Sequence, residues 1–242
     1  MCTVSFVSAG NKKIITSNRD EHIHRETAAA PRMEIINGRR LIFPKDARAG
    51  GTWFAASESG VVSVLLNGAF VKHTHKPPYR KSRGLILLDI IAAGDPLYSF
   101  TEIDLQDIEP FTVVHYLPGR LFELRWDGDR RHEKELDVSG NHIWSSATLY
   151  NREVVAYRKQ LFERFLENTA FPLPGDVHGF HANNNNDEEN GFVISRKTGL
   201  KTFSITQAVW QQHKIDFMHT DLLHDKRFEE AMQIRHALVN LS

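Results

Sequence analysis

The chain opens on an alternating, β-branched run, Cys2-Thr3-Val4-Ser5-Phe6-Val7, and a period of two predicts a strand whose side chains face two ways. A turn at Gly10-Asn11 and the run 13–17 complete a hairpin, expected to end where four polar residues follow, Asn18-Arg19-Asp20-Glu21. Leu41-Ile42-Phe43 is a short apolar segment. The runs 52–56 and 61–66 turn at Glu58-Ser59-Gly60 and close on Asn67-Gly68. This second hairpin is so continuously apolar that cover on both of its faces is implied.

Helical periodicity then appears. Ser82 is placed to cap a helix with Leu85, Leu88, Ile91 and Ala92 on one side, stopping at Gly94-Asp95-Pro96. A short helical turn is expected over 104–108. Strand patterns return at 111–116, at 120–126 before a turn at Asp127-Gly128-Asp129, and at 142–145. The strongest helix spans 151–168, where Val154, Val155, Arg158, Leu161, Phe162 and Phe165 form one stripe that reads as core packing. The stretch 172–190, with Asn183-Asn184-Asn185-Asn186-Asp187-Glu188-Glu189, is expected to be a mobile loop. A late hairpin joins 191–195 to 200–206 through Lys197-Thr198-Gly199. The tail 225–238, with Phe228, Met232 and His236 near one side, is expected to be a helix. Strands dominate early and helices alternate with them later, which predicts an α+β domain with two layers of antiparallel sheet and two of helix. No Gly/Ser-rich or Pro-rich linker divides the 242 residues, so residues 1–242 read as a single domain.

Composition removes several function classes. Thirty basic residues balance thirty acidic ones, so bulk charge argues for neither nucleic acid nor an anionic membrane as partner. No apolar run approaches the length of an integral membrane segment, and the start lacks the pattern of a signal peptide. With one cysteine no internal disulfide can form, and the expectation is a cytoplasmic protein.

That cysteine, Cys2, follows the initiator Met1. Once Met1 is removed, one residue carries a thiol and a free α-amine, whose pKa values are near about 8.5 and about 8. The amine can then act as base for the thiol beside it, and the thiolate can attack a carbonyl to give an acyl-enzyme. Arg19 and Asp20 come next: Asp20 can hold the ammonium, and Arg19 can lower the thiol pKa or bind a substrate carboxylate. Adjacent strand residues face opposite ways, so both serve one site only where the strand has ended or bulged. Gly50-Gly51 permits positive φ or close backbone approach before Thr52-Trp53, with Trp53 either core or pocket wall. Asn67 supplies an amide suited to an oxyanion or a plain turn pair with Gly68, and Asn141, before 142–145, is a second such amide. Phe54, Leu66, Phe70 and Trp144 suit an acyl or aromatic group and suit a core equally. The thirteen histidines are scattered; the pairs His22/His24, His73/His75 and His178/His181 lack further ligands at metal spacing, and no metal is expected.

Met-Cys at the start, Asn18-Arg19-Asp20-Glu21, Gly50-Gly51-Thr52-Trp53, the Asn67 turn, and Asn141 with Trp144-Ser145-Ser146 together resemble the NRDE family, also called the transport and Golgi organization 2 family. The resemblance runs from Met1 to about Thr206. Members of that family resemble N-terminal-nucleophile hydrolases, which implies a four-layer αββα sandwich and likens the chain to cysteine acylases acting on penicillin V and conjugated bile salts. It implies amidohydrolase chemistry on a non-peptide C–N bond of a small amide or acyl substrate. Cys2 would be the nucleophile, Arg19 and Asp20 the early arginine and aspartate, Asn67 the asparagine near substrate and Asn141 the oxyanion asparagine. Trp53, Phe70 and Trp144 stand as substrate-binding candidates. In those acylases two residues separate the early arginine and aspartate, whereas Arg19 and Asp20 are adjacent; Arg152, Arg158 and Arg196 all remain candidates for a late arginine. No cofactor is implied by hydrolysis. The family's other association, with Golgi organisation, lipid or acyl-CoA metabolism and haem handling, implies the alternative of a binding protein on the same fold, for which Cys2 could ligate haem.

Overall fold

A computed structural model describes residues 3–235, in which thirteen strands and four helices form. One sheet contains β1 (Thr3–Ala9), β2 (Lys12–His22), β10 (His142–Ser145), β11 (Leu200–Gln211), β12 (Lys214–Asp221) and β13 (Lys226–Gln233), ordered β10-β1-β2-β11-β12-β13. The other runs in chain order from β3 (Ala29–Ile36) through β4 (Arg39–Lys45), β5 (Phe54–Ser57), β6 (Val62–Asn67), β7 (Phe111–Leu117) and β8 (Arg120–Trp126) to β9 (Arg131–Leu136). All neighbours in both sheets are antiparallel.

The alternation along β1 explains the layering. Val4 and Phe6 join the core between the sheets with Ile15, Phe54, Val64 and Phe217, where Phe54 and Phe217 meet edge to face at 5.5 Å. Val7 and Ile14 face the other way, onto Phe162 of α3 (Arg152–Asn168) and Val177 of α4 (Pro174–His181). On the far side α1 (Arg83–Ile91) lays Leu88 and Ile91 over Leu41, Phe43 and Ala55, with α2 (Pro96–Glu102) beside it. The result is the expected αββα sandwich. Burial on both faces is why these strands read as unbroken apolar runs, each large side chain contributing roughly 1.5–3 kcal/mol.

The capped helices follow the sequence pattern. Ser82 caps α1 and Asn151 caps α3, its side-chain oxygen accepting from the Val154 N–H at 2.9 Å. Elsewhere the structure corrects the reading. Strand β2 does not end at Asn18 but continues through the polar tetrad to His22. The helical turn expected over 104–108 is displaced to α2, because Asp95-Pro96, read as a stop, is a start: Asp95 accepts from the Leu97 and Tyr98 N–H groups and Pro96 takes the first helical position. The segment 172–190 is not loop throughout, since it carries α4. The tail expected to be a helix is strand β13 as far as Gln233, and positions 236–238 lie outside the described residues. Phe228 and Met232 are four apart, a spacing that keeps two side chains on one face in a helix and in a strand alike.

Candidate functional site at the start of β1

Thr3, the first described residue of β1, pairs with Asn18 on one side and Ser145 on the other. Cys2, one peptide bond earlier, lies outside the described residues. Three residues of the tetrad beside this strand end are buried, Asn18, Arg19 and Asp20 each being 2% exposed or less, and Glu21 is half-buried.

Asn18 is committed to structure. Its Nδ2 donates to the carbonyls of His181 and Phe192, so its Oδ1 must accept, and it does so from His181 Nδ1. That forces His181 into the Nδ1–H tautomer, leaving Nε2 to accept from the Ser5 hydroxyl at 2.7 Å. Burial, then the neighbouring His178 and Arg158, push the His181 pKa down to about 3.

Because β2 continues, Arg19 and Asp20 face opposite ways. The irregularity lies in the partner strand, where the register slips between Thr202 and Ser204 opposite these two residues. Asp20 turns towards the helical layer of α3 and α4. Its carboxylate accepts from the Tyr150 hydroxyl at 2.8 Å and the Thr202 hydroxyl at 2.6 Å. The Tyr150 ring lies under the Arg158 guanidinium at 3.7 Å, with Arg196 at 5.1 Å. Arg158 is fully buried and donates to the Asn190 and Gly191 carbonyls and to the Thr3 hydroxyl. Of the three late arginines left open, Arg158 is the one that reaches the start of β1; Arg152 is exposed.

Arg19 turns inward, between the sheets. Its guanidinium lies 4.5 Å over the Trp53 ring and donates to Asp46 at 2.9 Å. Asp46 also accepts from Arg25 and from the Ala49 N–H. Burial raises the Asp46 pKa, but Ala49, Arg25 and Arg19 together outweigh it and hold the carboxyl below its ordinary value. The two glycines before Thr52-Trp53 do different work: Gly50 adopts φ +69°, and a Cβ on Gly51 would sit 2.5 Å from the Gly84 carbonyl carbon at the start of α1. Close packing of this loop on α1 sets Trp53 beneath Arg19. Trp53 is 3% exposed, part of the core and also part of a cavity wall.

Two cavities lie near this strand end. A polar one of about 520 Å³ is lined by Arg19, Glu21, Trp53, Asn67, Arg83 and Glu109 among others. A larger cleft of about 1080 Å³ lies between β10, α3 and the loop after β6, with Phe70, Ile143, Trp144, Tyr150 and Val155 on its walls. Asn67 ends β6, and its carbonyl accepts from the Ser146 hydroxyl at 2.9 Å. The structure thus brings Arg19, Trp53 and Asn67 to one cavity and Phe70, Asn141 and Trp144 to the other. Asn141 is not brought to the start of β1. His142 already pairs with Phe6, so Asn141 stands roughly 13 Å along β10 from Ser145 at strand rise, and its Oδ1 accepts from the Ser8 N–H. The residues of this segment that reach the strand end are Ser145 and Ser146.

Tyr150, Thr202 and Asp46 escaped the sequence reading. Nothing local marks them, since each acquires its partner across more than twenty residues of chain. Arg158 did leave a signal, as the lone charge inside an apolar helical stripe. Among the described residues no group of three His, Cys, Asp or Glu is arranged to hold a metal ion, and no helix is long and apolar enough to cross a membrane.

A profile of the family described as Transport and Golgi organisation 2 matches residues 1–216. Transport and Golgi organization protein 2 of Drosophila melanogaster is 29% identical over 133 residues, a match covering 48% of this chain and 45% of that protein, so the chain aligns with less than half the length of this curated relative. Among solved structures, a mutant conjugated bile acid hydrolase from Clostridium perfringens superposes with a TM-score of 0.56 at 9% identity, covering 98% of this chain and 97% of the other. The Caenorhabditis elegans orthologue of N-acylethanolamine-hydrolyzing acid amidase gives 0.59 at 10% identity, covering 85% and 92%. At such identities the likeness is one of fold. The tetrad on β2, the glycine doublet before Trp53 and the profile match converge: the chain belongs to the Transport and Golgi organisation 2 family, on a fold resembling that of the N-terminal-nucleophile hydrolases.

Proposed function

We propose that this protein is an N-terminal cysteine amidohydrolase that cleaves a non-peptide C–N bond through an acyl-enzyme on Cys2 after removal of Met1. The observation that carries the reading is the organised polar cluster where β1 begins: Asp20, 2% exposed, accepts from Tyr150 and Thr202, beside the buried Arg158 that donates to Thr3. Cys2 precedes Thr3 by one peptide bond, about 3.8 Å between Cα atoms, which ties the thiol and α-amine to this end of the strand. In the reaction the α-amine takes the thiol proton, the thiolate adds to the amide carbonyl, and the proton passes to the departing amine. Water then cleaves the thioester and regenerates the thiol. Asp20 is suited to hold the ammonium form, and Asn67, on the wall of the polar cavity, to donate to the oxyanion. The names of the two fold neighbours describe hydrolysis of conjugated bile acids and of N-acylethanolamines, chemistry of the same type.

Intact-mass analysis before and after an electrophilic acyl probe, with Cys2→Ala as control, tests this. The expected result is a chain lacking Met1 that gains one acyl group, and a variant that gains none. Retention of Met1, or equal labelling of the variant, refutes it.

A further inference from the structure

Charge balances over the whole chain but not along it. Between β6 and the start of α1, residues 70–83 hold five Lys or Arg and two His and not one Asp or Glu. Three of those cations are occupied where they stand: Arg80 pairs with Asp104 at 3.1 Å, Lys81 with Asp89, and Arg83 with Glu109 at 2.9 Å. His73 and His75 also reach Glu109. Lys72 and Lys76, both exposed, pair with no carboxylate among the described residues. Directly before them stand Phe70 and Val71, 54% and 63% exposed.

The same segment stands at the mouth of the larger cleft. Phe70, Val71 and Lys72 line it together with Arg152, which is exposed at the start of α3 and likewise has no carboxylate partner among the described residues. The carboxylates nearby are taken: Glu123 by Arg125, Glu163 by Lys159, and Asp127 by His132, whose ring backs Phe70 at 4.9 Å. Exposed apolar side chains are ordinary when they stand singly. Here two adjoin, and the apolar surface continues inward over Ile143, Trp144 and Val155. Apolar side chains that enter the boundary of a bilayer, beside cationic groups level with its phosphates, make up an interfacial anchor. Two such side chains are too few for the core of a protein interface, which takes about 800 Å² a side, whereas a bilayer asks only that they enter it.

We propose that segment 70–76, together with Arg152, docks this protein on an anionic lipid surface, with Phe70 and Val71 entering the acyl boundary and Lys72, Lys76 and Arg152 lying among the headgroup phosphates. Docking needs no reaction at Cys2, so this surface goes beyond the amidohydrolase reading and stands or falls without it. Overall neutrality is no obstacle. At physiological ionic strength a charge is screened within about 8 Å, so a membrane feels the patch that faces it and not the sum over the chain.

Cosedimentation of the full-length chain with vesicles, at neutral pH and near-physiological salt, tests this. Each Lys or Arg near an anionic surface strengthens binding about fivefold, so partition onto phosphatidylcholine with about one third phosphatidylserine is expected to exceed that onto phosphatidylcholine alone by more than about tenfold. Lys72→Glu with Lys76→Glu should erase most of that ratio, and Phe70→Ser with Val71→Ser should lower partition onto the anionic vesicles about tenfold. All four side chains are exposed, so these changes leave the core untouched. The same reversal of charge on β13, at the opposite edge of the sheet from β10, controls for net charge: Lys226→Glu with Arg227→Glu should keep most of the partition. Equal partition onto both vesicles, no effect of Lys72→Glu with Lys76→Glu, or an equal loss in the β13 pair overturns the inference. Partition that Phe70→Ser with Val71→Ser leaves unchanged reduces the contact to charge alone, as for an acidic protein, and overturns it too.

Discussion

Acidification below neutral pH should unfold this protein through its buried histidines. His181 and His115 are fully buried and His219 is 3% exposed; burial is the first cause in each and pushes their pKa values down to about 3, about 4 and about 4. The bonding explains why a proton is refused. His181 must accept from Ser5 at Nε2, His115 shares Nδ1 with Ser63 while its Nε2 has no partner, and His219 shares Nδ1 with Thr206 within the field of Arg19. Each group binds a proton more weakly folded than unfolded. Their contribution is therefore fully present above about pH 6.5 and is lost as the pH falls from there towards about 4, because the unfolded chain protonates first. At about pH 5 each unfolded histidine gains about 2 kcal/mol from protonation that its folded counterpart forgoes, so three cost about 6 kcal/mol. A domain is stable by about 5–15 kcal/mol, so most of the margin goes. Urea unfolding at a series of pH values reads this directly, with a slope approaching three protons between about pH 6 and pH 5. The variant His181→Gln should be less stable at neutral pH yet shallower by about one proton. Stability that is flat across this window, or a slope that the variant does not change, refutes the argument.

The glycines and the Asp20 cluster make two further predictions. Gly51→Ala drives a Cβ to 2.5 Å from backbone of Gly84 and should cost about 1–3 kcal/mol in a urea melt, whereas Gly175→Ala, in the first turn of α4 with nothing within 4 Å, should be neutral or stabilising by up to about 1 kcal/mol. Tyr150→Phe removes one of two hydroxyls donating to a buried carboxylate; it should cost about 1–3 kcal/mol and slow acylation of Cys2 by the probe, and an unchanged labelling rate would detach Tyr150 from the site.

Much of the architecture was legible because burial on both faces leaves its mark on composition. The hairpins of β1–β2 and β5–β6, and the capped helices α1 and α3, announce themselves through apolar runs and an N-cap residue. Two charged edge strands do not. Strand β9, Arg131–Leu136, and β13, Lys226–Gln233, are charge-rich and largely exposed, and β13 mimicked a helix through the four-residue spacing of Phe228 and Met232. Charged side chains suit an edge because they discourage further pairing, and the same charges hide the strand from a hydrophobicity pattern. For the site, the sequence singled out Arg19, Asp20, Trp53 and Asn67, and the structure sets Arg19, Trp53 and Asn67 on one cavity wall and Asp20 against Tyr150. The expectation for Asn141 rested on its place in the chain order, and the β1–β10 register sets it well along the strand instead.

By itself the sequence determined the chemical inventory: one thiol beside a potential α-amine, a polar tetrad on a strand, a glycine doublet before a tryptophan, and strands apolar enough to need cover on both faces. Only the tertiary structure decided which face each member serves. Strand β2 runs through the tetrad because β11 continues to pair with it as far as His22, and that continuation turns Arg19 towards the polar cavity and Asp20 towards Tyr150. A strand's period fixes that neighbours diverge, but where a strand stops depends on whether a distant segment supplies its next hydrogen bond.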